Sequence, residues 1–311
     1  MTTPAAGAPP TGTTAAGTAA GTAAGTAAGT AAGTAAGTAA GTSTVGIGWR
    51  PEIAGYVAAL PGLRFTEVVA ESVHLAHPPE LLMQLVERDV RVVPHGVKLS
   101  LGGAEPIDDA RAAHLFQCAQ LLRSPLVSEH IAFVRAGGVE AGHLLPVPRT
   151  REAVDAVVAN VRRTQAALGG VTLALEPIAA LFDWPDPELT EAQFLTEILD
   201  RTGCALLLDV ANVYANARNR GGSPTDLLDG LPLERIAYVH VAGGAEHDGF
   251  YHDTHTDATP PEVLDLVKEL CARTTPPALM LERDGHYPPA AELTRELDAL
   301  STAAGLPRIT P

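Results

Sequence analysis

One recurring device constrains this chain more than anything else: a short apolar run that ends on a metal-ligand type of side chain. The clearest example is ALLLDVANVYANARN, residues 205–219. Its first four residues are too few for a helix and suit a buried strand. The run ends on Asp209, with Asn212 and Tyr214 close behind. An isolated buried carboxylate is heavily penalised, so Asp209 must cap a helix, pair with a cation or hold a metal.

Comparable strand candidates lie at 45–48, 65–70, 91–94, 126–128, 171–175, 205–208, 235–239 and 278–281. Helical patterns follow them at 52–60, from Pro78-Pro79 onward, 107–122, 151–168, 189–201, 224–228, 261–271 and 290–300. Strict alternation predicts a parallel sheet, and eight repeats predict closure into an α/β, (β/α)8 TIM barrel. An open doubly wound sheet would need a glycine-rich phosphate turn after its first strand. Residues 46–50, GIGWR, are not GxGxxG.

The barrel is expected over residues 44–311. From Thr14 to Gly41 the chain reads TAAG seven times, and the first charged side chain is Arg50. Such a repeat has nothing to bury, so residues 1–43 are expected to be a disordered Ala/Gly/Thr tail. They lack the basic start and apolar core of a secretory signal. The formal charge of −15 therefore falls on the barrel, which disfavours a nucleic-acid partner. Cys118, Cys204 and Cys271 form no CxxC pair and suit reduced thiols in the cytoplasm. No apolar run approaches the roughly 18 residues of a membrane span.

In a barrel the C-terminal strand ends share one mouth, where chemistry sits. Strands three to eight end on His95, His130, Glu176, Asp209, His240 and Glu282, and the loop after strand seven adds Asp253 and His255. Singly, each could be a core histidine, a helix cap or an ion-pair partner. Together they form a nitrogen and oxygen set without thiolate, which suits Fe, Mn, Co or Zn. Eight ligands exceed the needs of one ion, so two or three ions sharing a bridging carboxylate fit better, with Glu176 or Asp209 as the bridge. Glu67, Glu71 and Glu129 could orient metal-bound histidines or form strand-end ion pairs. Arg50 and Arg283 could grip a substrate carboxylate or neutralise the cluster. His247 and His252 could reach the mouth from their loop, and His114 falls on a helix, where a surface place is expected.

The segments HGVKLSLG (95–102), SEHIAF (128–133), LALEP (173–177), LLLDVANVYANARN (206–219), YVHVAGG (238–244), DTH (253–255) and LERD (281–284) resemble the multinuclear non-heme iron-dependent oxidative enzymes, the family of the iron enzyme of methanobactin biosynthesis. The resemblance spans about residues 45–285. It implies a TIM barrel with two or three irons and O2 as co-substrate, which oxidises residues, most often cysteine, of a ribosomally made precursor peptide. It also implies a small partner protein that recognises the leader. Its ligands would map onto His95, His130, Glu176, Asp209, His240, Asp253, His255 and Glu282, with Asn212 as a ligand or a donor behind the ligands. His95, Asp209, His240 and Glu282 would stand closest to the chemistry. Pro177 and Glu71-Ser72 depart from the family's usual Asn and Glu-Asn, which bears on the reaction more than on the metal centre. A divalent-metal sugar isomerase or epimerase of the same barrel class is the main alternative. It would need a base beside the metals, and Lys98 is the only obvious candidate. A three-zinc phosphodiesterase acting on DNA is disfavoured by the acidic charge, and a barrel reduced to a binding module by the intact ligand set.

Overall fold

The computed structural model describes residues 43–311. The expected tail at 1–43 therefore lies outside the described residues but for Ser43. In chain order the elements are β1 (Thr44–Ile47), α1 (Ala54–Ala59), β2 (Phe65–Val69), α2 (Glu80–Glu87), β3 (Arg91–Gly96), α3 (Asp109–Leu121), β4 (Leu126–His130), β5 (Phe133–Ala136) and β6 (Val139–Leu145). They continue with α4 (Arg151–Ala167), β7 (Thr172–Glu176), α5 (Glu191–Thr202), β8 (Ala205–Asp209), α6 (Val210–Arg220), α7 (Pro224–Gly230), β9 (Ile236–Val241), β10 (Gly243–His247), β11 (Phe250–Asp257), α8 (Pro261–Arg273), β12 (Ala278–Leu281) and α9 (Ala290–Ala304).

Eight strands form one sheet in the order β1-β12-β9-β8-β7-β4-β3-β2, and every pairing in it is parallel. Two contacts draw the ends together. Trp49 N donates to Glu67 O at 2.7 Å, and Thr66 Oγ1 donates to Ile47 O at 2.5 Å. The fold is an α/β TIM barrel, as the alternation predicts. Helices that follow strands bury one apolar stripe against the outside of the sheet, as Val154, Val157, Val158 and Val161 do on α4.

Inside the barrel, Phe65, Val93, Ala174, Leu207, Tyr238, Ala278 and Met280 form a separate buried cluster. Strand side chains alternate faces, so the residue two positions further along points the same way. From Phe65 that step reaches Glu67, from Val93 His95, from Ala174 Glu176, from Leu207 Asp209, from Tyr238 His240 and from Met280 Glu282. The apolar layer is thus a floor, and the next inward-facing layer consists of carboxylates and imidazoles.

The structure differs from the sequence reading in three places. Residues 210–220 form α6, so the segment after β8 is helical well before Pro224. Its start is the Asp209 side chain, which accepts from Ala211 N and Asn212 N. The segment after β9, expected as a loop, is an antiparallel hairpin, β10–β11, and a second hairpin, β5–β6, follows β4. Their turns are Gly137-Gly138 and Asp248-Gly249, all with positive φ, the conformation a tight hairpin turn requires. His114 is half-buried, with Nε2 2.9 Å from Ala70 O.

Barrel closure depends on close approach at Gly46, where a Cβ would overlap the Phe65 carbonyl oxygen. Gly46→Ala should destabilise the protein by about 1–3 kcal/mol, the usual cost of overpacking. A urea denaturation midpoint equal to that of the parent chain would show that β1 and β2 have room to part.

Candidate metal centre

The C-terminal end of the barrel carries the cluster. Glu67, His95, Glu176, Asp209, His240 and Glu282 are all buried, and His130 nearly so, at 9% exposure. Each is delivered by the last residues of a strand or the position just after it, except Glu67, which lies within β2. His130 Nε2 stands 3.2 Å from Glu176 Oε2, and His95 Nε2 stands 3.6 Å from the same oxygen. His240 Nδ1 faces Glu176 Oε1 at 3.1 Å and Glu282 Oε2 at 2.9 Å. His255, brought in by β11, puts Nε2 2.6 Å from Asp253 Oδ2 and 3.5 Å from Asp209 Oδ2. Its backbone has φ 53°, which is uncommon for a non-glycine residue.

The residues fit metal ions on two observations. Four overlapping groups of three have ligand atoms within 4.8 Å of one another: His95–His130–Glu176, Glu176–Asp209–His240, Glu67–His240–Glu282 and Asp209–His255–Glu282. Second, Glu67 Oε1, His130 Nδ1, Glu176 Oε2, Asp209 Oδ2, Asp253 Oδ1 and Glu282 Oε2 are buried and lack hydrogen-bond partners. Buried polar atoms are normally paired, and these six all lie on residues of this one cluster.

Electrostatics agree. Burial opposes charge on His130, but Glu176 and Glu129 outweigh it and push the pKa up to about 9. Burial likewise opposes charge on His240 and His255, and the carboxylates around them raise both well above the ordinary imidazole value. Burial, with Asp209 nearby, raises Asp253 to about 6 although His255 opposes it. The cluster demands positive charge. Protons supply it on the histidines, and cations would compete for the same lone pairs.

The remaining predicted residues have definite places. Asn212 donates from Nδ2 to Pro177 O at 3.1 Å and accepts from Ala179 N at 2.9 Å, so its amide holds the segment after β7. Glu129 accepts from Leu99 N and His130 N, and Glu71 accepts from Val97 N, so both brace the segment after β3. Arg50 pairs with Glu282 at 2.9 Å and with Asp284 at 2.6 Å. Arg283 is buried against Glu296 of α9 and the Thr256 carbonyl, away from the cluster. His247 is exposed and pairs with Asp248.

Sequence reasoning did not single out Tyr238, Ser128 or Asp284. Tyr238 and Ser128 link Glu67 to His95 by hydrogen bonds, and Asp284 Oδ2 stands 3.1 Å from His255 Nδ1. A signal was present for the first two, because Ser128 and Tyr238 lie two residues before His130 and His240.

Above the cluster lies a cleft of about 700 Å³, lined among others by His95, His130, Glu176, His255 and Glu282. Lys98, Arg111 and hairpin residues Glu140 and His143 form part of its walls. Exposed Val139, Leu181, Phe182, Trp184 and Phe250 all lie on the segments and hairpins that follow the strand ends.

Fold and cluster together define a TIM barrel with a multi-ligand, metal-capable centre at its mouth. The family model for the RiPP precursor modification enzyme MbnB/TglH/ChrH matches residues 44–304, and the chain belongs to that family. A UPF0276 protein of Streptomyces avermitilis is 56% identical over 262 residues, covering 82% of this chain and 54% of that protein. The chain thus spans about half the length of that relative. A UPF0276 protein of Rhizorhabdus wittichii is 39% identical, covering 75% of this chain and 84% of that protein. Among solved structures, endonuclease IV of Thermus thermophilus superposes with TM-score 0.58 at 18% identity, over 84% of this chain and 98% of that one. D-psicose 3-epimerase of Clostridium cellulolyticum gives 0.52 at 12% identity, over 85% and 96%. At such identities these two likenesses establish the barrel and nothing more. Among the described residues, no helix is long and apolar enough to cross a membrane.

The raised histidine pKa values carry a sign. A protonated imidazole cannot bind a metal, so affinity is lost as pH falls through the folded-state value. Divalent-ion affinity should therefore rise with pH toward about 9, the His130 value, and uptake at neutral pH should release protons. A titration in weakly buffered solution that releases none would place the ions elsewhere.

Proposed function

We propose that this chain is an iron-dependent oxidase that uses O2 to modify a residue, most often cysteine, of a ribosomally made precursor peptide. The observation that carries this reading is the set of overlapping ligand groups with unpartnered buried atoms, in a member of a precursor-modifying family. His95, His130 and Glu176 would hold one ion, Glu176, Asp209 and His240 a second, and Asp209, His255 and Glu282 a third. Glu176 and Asp209 each serve two groups and are the natural bridges. Bound iron would supply O2 activation and a Lewis-acid site for a substrate thiolate.

The chain's own residues do the rest. Arg50 holds Glu282 from behind, Asn212 fixes the segment after Glu176, and the floor residues close the barrel below the centre. The open cleft between the hairpins suits an extended peptide better than a compact sugar. The exposed apolar residues around the mouth suit contacts with that peptide, or with a small protein that recognises its leader. A sugar isomerase would need a base beside the ions, whereas Lys98 is exposed on the cleft wall.

Protein purified without oxygen should hold about two to three irons per chain. One zinc and no iron, with activity indifferent to iron chelators, would defeat the oxidase reading. With the right precursor and partner, O2 consumption should accompany a mass change in the peptide.

Replacing either bridge, Asp209→Ala or Glu176→Ala, should release more than one ion. Without the shared carboxylate, neighbouring cations repel in a low-dielectric pocket. His255→Ala should release less metal, since water can replace a ligand carried on a hairpin. Metal analysis of the three variants decides this, and equal loss in all three, or greatest loss for His255→Ala, would mean that neither Glu176 nor Asp209 is the bridge.

A further inference from the structure

A continuous buried hydrogen-bond chain runs between the floor of the barrel and the ligand layer. His240 Nε2 lies 2.8 Å from Glu67 Oε2. The same oxygen accepts the Tyr238 hydroxyl at 2.5 Å. Tyr238 Oη lies 2.6 Å from Ser128 Oγ, and Ser128 Oγ lies 2.8 Å from His95 Nδ1. None of the five residues is more than 2% exposed.

The direction of this chain follows from what each group can donate. A carboxylate oxygen accepts, so His240 Nε2–H and the Tyr238 hydroxyl both donate to Glu67. The one proton of Tyr238 is then committed, and its oxygen must accept from Ser128. The one proton of Ser128 is committed in turn, so Oγ accepts from His95 Nδ1–H. With both rings neutral, as metal ligands must be, the lone pairs left free are His95 Nε2 and His240 Nδ1. Both face the centre, His95 Nε2 toward Glu176 Oε2 at 3.6 Å and His240 Nδ1 toward Glu176 and Glu282.

We propose that Glu67, Tyr238 and Ser128 are positioning residues through which one buried carboxylate sets the metal-facing nitrogen of two histidines, His240 directly and His95 through two hydroxyls. The proposal rests on the metal-centre reading above. A histidine in the wrong tautomer would present an N–H to the cation, and groups behind metal ligands commonly fix ring orientation and tautomer in this way. The arrangement also gives Tyr238, otherwise a polar anomaly in an apolar floor, a partner on each side of its hydroxyl.

The test uses the full chain loaded with zinc(II), which is diamagnetic, and labelled with 15N-histidine. NMR should show His95 keeping its proton on Nδ1 and His240 on Nε2. Ser128→Ala should perturb the His95 signals and leave those of His240 in place. Tyr238→Phe should perturb both. A merely structural role would not separate the two rings in this way. Zinc affinity, measured by chelator competition, should fall about 10–100-fold in each variant. Because both hydroxyls belong to one chain, the double variant should bind no more weakly than Tyr238→Phe alone. His95 ligating through Nδ1 in the parent chain, multiplicative losses in the double variant, or unchanged affinity in both singles would overturn the proposal. The parent spectrum decides the tautomers even if a variant does not fold. A parent chain that takes up no divalent ion would defeat the metal-centre reading and this proposal with it. A parent that binds zinc while the variants bind it equally tightly would defeat this proposal alone.

Discussion

The structure depends on how several carboxylates can be buried together at one end of a barrel. Glu67, Glu176, Asp209 and Glu282 are almost wholly removed from water, and mutual repulsion at these distances is severe in a low-dielectric interior. Positive charge must stand among them. Arg50 supplies part of it from one side, at 2.9 Å from Glu282. Histidines interleaved on neighbouring strands supply the rest, either as protonated rings or as ligands of cations. Burial pushes the Glu282 carboxyl up, but the facing His240 and His255 outweigh it and hold it well below the usual carboxylate range. A cluster of this kind adds little to stability and is sensible as a place for ions.

The barrel solves the geometric side of the problem through register. Parallel pairing sets His130 beside Glu176 and Asp209 beside His240 across adjacent strands. Alternation along each strand then makes one layer apolar and the next ionisable. The same rule places Ser128 and Tyr238 one step below the ligands, where a hydroxyl can reach a histidine from behind. The ligand layer and its support are therefore consequences of one period-two pattern read round a closed sheet.

The two hairpins set access to this centre. β10–β11 carries Asp253 and His255 across the mouth, and β5–β6 brings Glu140 and His143 to the cleft wall. Hairpins inserted after strand ends leave the barrel scaffold undisturbed while reshaping the opening. In a barrel class that hosts many chemistries, the centre speaks for metal and the opening for the size and form of the substrate.

The barrel was legible in the sequence because strand runs and helical stretches alternate, and that signal is local. Eight ligand-type residues were also legible, because they stand at strand ends or in the DTH triplet. The hairpin turns were written in Gly137-Gly138 and Asp248-Gly249, and α6 in the spacing of Val210, Val213, Tyr214 and Ala217, though neither stands out beside the stronger motifs. Glu67 was legible as an acid that could orient histidines or form an ion pair, but only the closed sheet shows its partners, His240 and Tyr238. Other relations arise only on closure. Tyr238 is 110 residues from Ser128 and 171 from Glu67, and Asn212 reaches Pro177 across 35. The sequence by itself determined which side chains end each strand, since that follows from a residue's own neighbours. Only the tertiary structure decided which of them share an oxygen, a proton or an orphaned lone pair, because those contacts join strands far apart in the chain and exist only once the sheet has closed.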